Sequence, residues 1–307
     1  MRVLVSGVSG LLGLNTAFEL RGKHRVHGCW HRHSVTIPGV DAVPVDLADL
    51  GTARRVITAV RPDVIVHTAA LTDVDRCEDD PEAAFVQNVQ IAENVARLAT
   101  ECGARLVHIS TDHLFDGTKP MRTETEPVAP LNEYARTKHA AEVAVAAACP
   151  SALIVRTNFF GWGSPIRSSF SDWVLEGLRR RRELTMFTDS HFTPILANDL
   201  VALVLALLDA GAEGVYHVGG RDRVSKYEFA LQLAEAFDCA PDSIRPVEMK
   251  AKPLRAPRPQ DLSLASDKAA VRLGHPMPGL REALERLRLL GEAGWPAQLA
   301  AAVGGSR

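Results

Sequence analysis

The sequence predicts an α/β chain: a doubly wound parallel sheet over residues 1–156, then a smaller substrate-binding region over 157–307 that sends some segments back to the sheet. Three observations predict it. Short apolar, partly β-branched runs alternate with helical patterns over the first 150 or so residues, the rhythm of parallel strands joined by crossover helices. A glycine-rich turn follows the first run at once and opens a helix. After Thr157 the texture becomes aromatic and Gly-rich.

With 307 residues, 46% apolar and 23% charged, the chain can bury one large core or two smaller ones. A net charge of -2 gives no global signal for nucleic acid or a membrane surface. The five cysteines are scattered, with no Cys-x-x-Cys pair, which argues for reduced thiols and a cytoplasmic protein. No apolar run approaches the ~18 residues of a membrane span. The eleven histidines show no metal-ligand spacing, so no metal is expected.

Residues 2–6 read as the first strand. Gly7-Val-Ser9-Gly10-Leu11-Leu12-Gly13 follows, with a helix through about Leu20. Glycines here let the backbone turn sharply and approach a pyrophosphate, which then meets the unpaired amides of a helix N-terminus. That is a Rossmann-type dinucleotide turn, in the Gly-x-x-Gly-x-x-Gly variant. The second strand, Arg25–Trp30, ends in His31-Arg32-His33 rather than the acid that would bind a ribose 2′-hydroxyl. A basic turn suits a 2′-phosphate, so NADP is expected and NAD is allowed. A third strand, 42–45, leads to Asp46-Leu47 beside the adenine. A fourth, 63–67, ends in Thr68-Ala69-Ala70, small enough for a cofactor to pass. Pro81 to Cys102 reads as one long helix stopped by Gly103.

Strand 105–110 delivers Thr111 at a C-terminal strand end, where ligands bind in such sheets. Tyr134 and Lys138, four apart on a helix over 133–148, share one face. An ammonium beside a phenol favours phenolate, which makes Tyr134 a candidate general acid with its pKa drawn toward working pH. Thr111 can offer a second hydroxyl to the same oxygen.

After a strand at 153–156, the stretch 158–165 reads as a pocket wall. Helices are expected at 170–182, 198–209, 225–237 and 280–290, with a strand at 214–218. The four arginines at 179–182 read as a solvated helix end. Residues 253–259 read as a rigid Pro-rich loop, and the last fifteen or so residues carry no strong signal.

Together these residues resemble the extended short-chain dehydrogenase/reductases, and within them the dTDP-4-dehydrorhamnose reductase family. The markers are the three glycines, Ser110-Thr-Asp-His-Leu-Phe-Asp-Gly117, Pro130-Leu-Asn132, Tyr134-x-x-x-Lys138, Arg156-Thr157 and Arg258-Pro259. The resemblance implies Thr111, Tyr134 and Lys138 as the catalytic set, with Tyr134 and Lys138 also touching the cofactor. It implies a nucleotide-linked 4-keto sugar as substrate, met by Thr111, His113, Phe159 and Arg258, and it leaves a homodimer open. His113 stands where the family usually has Tyr, and Phe159 where it usually has Trp. In these features, and at 225–229, the chain also resembles the regulatory β subunit of methionine adenosyltransferase, which implies an NADP-binding interaction protein as the alternative. A 4,6-dehydratase would need Glu after Asp112, where His113 stands, and an epimerase that retains NAD fits the basic turn poorly.

Overall fold

The computed structural model describes residues 1–251 and 254–303. Pro253, the first residue of the expected Pro-rich loop, and the last four positions lie outside the described residues. The central sheet is parallel and seven-stranded: β1 (Arg2–Ser6), β2 (Arg25–Trp30), β3 (Val40–Pro44), β4 (Val64–His67), β5 (Arg105–Ile109), β6 (Leu153–Arg156) and β7 (Gly214–His217). Their spatial order is β7-β6-β5-β4-β1-β2-β3, so the direction of winding reverses between β1 and β4. Ligands collect beyond the carboxyl ends of strands at such a reversal.

Alternation along the strands makes the layers, since successive side chains point to opposite faces. Leu4, Ile65, Leu106 and Ile154 face one side, against α2 (Leu50–Val60), the long helix α3 (81–102) and α4 (Glu133–Ala148). Val5, Val66, Val107 and Val155 face the other, against α1 (Leu11–Leu20) and α6 (Ala197–Asp209), with α5 (Phe170–Arg179) between α4 and α6 in the chain. Beyond β7 come α7 (Lys226–Ala236), α8 (Leu280–Glu292) and α9 (Trp295–Val303). No helix among the described residues is long and apolar enough to cross a membrane.

Several elements depart from the sequence reading. Helix α2 was not expected; Asp49 caps it by accepting from the Gly51 amide. The long helix is continuous but carries a π turn at Val86–Gln90 between Pro81–Phe85 and Ile91–Cys102. Helix α5 stops at Arg179, and Arg181 turns away with φ 51°. The arginine run is exposed, as expected of a solvated end. The signal-poor C-terminus forms α9, whose Trp295 Nε1 donates to Asn15 of α1 at 2.9 Å. Phe160 and Trp162, expected in a pocket wall, are instead core: Phe160 packs edge-on against Phe229, and Trp162 Nε1 donates to the Leu287 carbonyl.

Candidate active site

The first turn is built as a cradle. Gly7 has φ 71°, and a Cβ there would lie 2.8 Å from the Ala69 backbone. A Cβ on Gly13 would lie 2.3 Å from the Gly7 carbonyl, so only glycine lets α1 pack this closely on its own entry turn. Gly10 stands at the N-cap with no side-chain cap and no acid in the first turn, which leaves the α1 amides open to an anion. This arrangement fits a dinucleotide pyrophosphate.

A cavity of about 550 Å³ opens from that turn and is lined by Gly10, Leu11, Leu12, Gly13, Thr68 and Ala70. Thr111, His113, Tyr134, Lys138 and Phe159 form more of the same wall. Gly7, Ser9 and Ala69 belong to the turns behind it. His31, Arg32 and His33 form an exposed bend after β2, outside this cavity. Asp46 and Leu47 follow β3: Asp46 accepts from the Ala48 amide, and the Leu47 carbonyl is held by Asn94. Among the described residues, no group of three or more His, Cys, Asp or Glu is placed to hold a metal.

Three sequence motifs dock on one another to shape the wall that carries Thr111 and Tyr134. Asn132 caps α4 by accepting from the Ala135 amide, while its Nδ2 donates to the Pro257 carbonyl at 2.8 Å. Gly117 has φ 76°, and a Cβ there would lie 2.6 Å from the Gln260 amide. The Ser110–Gly117 loop, the head of α4 and the Arg258-Pro259 segment therefore meet. Asn88, on the π turn of α3, joins them: its Oδ1 accepts from the Leu71 amide and its Nδ2 donates to Thr137 on α4.

Tyr134 is 8% exposed and Lys138 2%. Lys138 Nζ donates to the Ile109 carbonyl at 2.8 Å. Burial pushes the Lys138 ammonium down to about 8, against the pull of Glu142. The expectation that Lys138 draws the Tyr134 phenol toward working pH is not met. Burial pushes the phenol up; the Thr111 hydroxyl opposes this, Asp112 and Cys77 add to it, and Arg167 opposes it weakly. Desolvation outweighs neighbouring charge here, so Tyr134 is held protonated. Cys77 packs against it, fully buried, its thiol pushed up to about 11 by that burial.

His113 meets the Tyr134 ring edge-on at 5.6 Å, and burial holds its imidazole below the usual range. It also opens onto a second cavity of about 330 Å³, which shares Asn158 and Phe170 with the first. Trp173, Met186, Phe187 and Leu254 give this chamber an apolar wall, and Lys226 and Arg258 give it cations. Arg258 is tied to Asp75 at 3.0 Å and to the Ala256 carbonyl. Asn158, in the expected pocket wall, lines both cavities, whereas the sequence reading missed Lys226 and Arg167 as site residues. Position 226 offered only a capped helix start, and Arg167 lay in a stretch without periodicity.

The family model described as "RmlD substrate binding domain" matches residues 1–289. The chain is 34% identical over 290 residues to a dTDP-4-dehydrorhamnose reductase of Mycobacterium tuberculosis, covering 92% of this chain and 91% of that one. It is 31% identical over 296 residues to the methionine adenosyltransferase 2 subunit beta of Pongo abelii, covering 92% and 87%. Among solved structures, dTDP-4-dehydrorhamnose reductase from Bacillus anthracis in complex with NADP superposes with a TM-score of 0.82 at 28% identity, covering 94% of this chain and 98% of that one. The chain belongs to the RmlD substrate-binding-domain family, within the NAD(P)-dependent short-chain dehydrogenase/reductases.

Proposed function

We propose that this chain reduces the 4-keto group of a nucleotide-linked deoxysugar with NADPH, as a dTDP-4-dehydrorhamnose reductase does. One observation carries the reading: Thr111, Tyr134 and Lys138 share a wall of the cavity that opens from the glycine turn. Bound NADPH supplies the hydride. Tyr134, held protonated by burial, gives its proton to the oxygen that becomes the C4 hydroxyl. The Thr111 hydroxyl, which donates to Asp112 at 3.2 Å, turns its one hydrogen to the same oxygen when the sugar is bound. Lys138 holds the ribose and offsets the charge left on the phenolate. The adjoining chamber, with aromatic walls and two cations, suits a nucleoside diphosphate. The exposed His31-Arg32-His33 bend supports the 2′-phosphate of NADP.

The likeness to the methionine adenosyltransferase subunit supports a second reading, an NADP-binding interaction protein without sugar turnover. NADPH oxidation with a dTDP-4-keto-6-deoxysugar separates the two. Wild type is expected to turn over, and Tyr134→Phe to lose roughly 10²–10³-fold in kcat with NADPH binding retained. NADP binding without turnover on any such sugar leaves only the second reading.

A further inference from the structure

Tyr134, Lys138 and Glu142 recur every four residues along α4, and each is less than a tenth exposed. The third member of this stripe is a carboxylate, and it is paired inward. Arg156, at the end of β6, grips both Glu142 oxygens, with Nη2 at 2.7 Å and Nε at 2.9 and 3.2 Å. Nη1 of Arg156 lies 3.4 Å from His217 Nε2 on β7. The other ring nitrogen, His217 Nδ1, lies 3.0 Å from the Arg122 carbonyl. A carbonyl only accepts, so Nδ1 carries the hydrogen and Nε2 is left to accept from Arg156. These two contacts put the ring hydrogen of His217 on Nδ1. Phe115, on the Ser110–Gly117 loop, completes the cage: the Arg156 guanidinium lies 5.6 Å from its ring centroid, and His217 meets it edge-on.

Stability alone gives a weak reason to keep such a pair. Apolar residues of similar volume usually hold a core as well as a buried ion pair or better. What the pair supplies is an oriented dipole whose carboxylate end stands one helical turn beyond Lys138. Lys138 acts electrostatically on His67 of β4 and His108 of β5 and feels Glu142 of its own helix; Asp112, in the loop after β5, and Tyr134 line the same cavity, and Arg156 of β6 stands behind Glu142. Burial keeps both histidines neutral, and they stack with ring centroids 5.4 Å apart. Among the described residues, the Lys138 ammonium has one hydrogen bond, to a carbonyl rather than a carboxylate.

We propose that Glu142, fixed by Arg156 and His217, is a positioning residue that keeps the Lys138 side chain charged and aligned in the cleft. The inference rests on reading Lys138 as part of the active site. Its test does not need turnover. The chain has seven lysines, so ¹³Cε-lysine labelling resolves them by NMR, with Lys138→Met assigning the signal. Glu142→Gln is expected to lower the Lys138 titration midpoint by about one pH unit, and to lower stability by leaving Arg156 unpaired. The double variant Glu142→Gln/Arg156→Met removes the orphaned cation, so stability returns while the midpoint stays low. The basic limb of NADPH affinity should move by the same amount, and Glu142→Asp should restore part of it. A Lys138 midpoint in the folded double variant equal to that of wild type overturns the proposal, because the pair is then structural only. A shifted midpoint in a protein that reduces no sugar nucleotide keeps this inference and removes the proposed function.

Discussion

Lys226 shows how one side chain acquires a role from packing. Its ammonium lies 3.3 Å from the centroid of Phe192 and 4.8 Å from that of Phe170, and burial pushes it down to about 8. Among the described residues no carboxylate comes within ion-pair distance of it, whereas Arg258 across the chamber is already bound to Asp75. An aromatic bed holds a cation without neutralising it, which leaves its three hydrogens for an anionic ligand. Lys226→Met is therefore expected to raise KM for the nucleotide sugar about 10- to 100-fold, with kcat and the KM for NADPH unchanged. Steady-state kinetics checks this, and an unchanged sugar KM would place the diphosphate elsewhere. Gly7, Gly13, Tyr134 and Lys138 were legible in the sequence because motif and strand–helix order reinforce each other. Lys226 was not, because Phe170 and Phe192 reach it only through the fold.

Helix α4 carries Tyr134 and Lys138, and its start is over-determined. The Asn132 side chain is fully buried, caps the helix and holds the Pro257 carbonyl. Losing the cap alone costs about 1–2 kcal/mol, and losing the tether frees the Arg258 segment. Asn132→Ala is expected to lower unfolding free energy by about 2 kcal/mol and to raise sugar KM more than NADPH KM; urea melts and kinetics read the two effects separately. The strands were legible as short apolar runs, and most helices as amphipathic rhythms. The π turn in α3 was not: one extra residue per turn leaves an apolar pattern that still passes for 3.6, yet it is what brings Asn88 to Leu71 and Thr137. Helix α9, rich in alanine, announces little by itself. Its meaning lies in Trp295, which meets Phe18 edge-on at 5.7 Å and braces the helix behind the glycine turn.

At the scale of the molecule, the carboxyl ends of the strands carry a buried polar row. Ser6 hydrogen-bonds His67 Nδ1 at 2.6 Å, His67 stacks on His108, and Arg156 and His217 continue the row at the far edge. Burial pushes His67 and His217 down to about 3, and His108 well below its ordinary value of 6.5. The sign of the pH effect follows. Below 6.5 the unfolded chain takes up protons that the native protein refuses, so stability falls with pH between 6.5 and about 3. Each histidine contributes a slope approaching roughly 1.4 kcal/mol per pH unit. Urea midpoints at neutral and mildly acid pH should show the loss, and His217→Gln should flatten it; equal midpoints at both would mean that these rings are hydrated. The thiols differ in the same spirit. Cys102 faces solvent, while Cys77 sits against the Tyr134 phenol as an un-ionised –SH. Alkylating reagents need an accessible thiolate, so they pass over buried Cys77, whereas Cys102 is open to solvent. A fluorophore or spin label on Cys102 would thus report on a molecule whose chemistry is untouched, and thiol blocking makes a poor assay for occupancy of the active site.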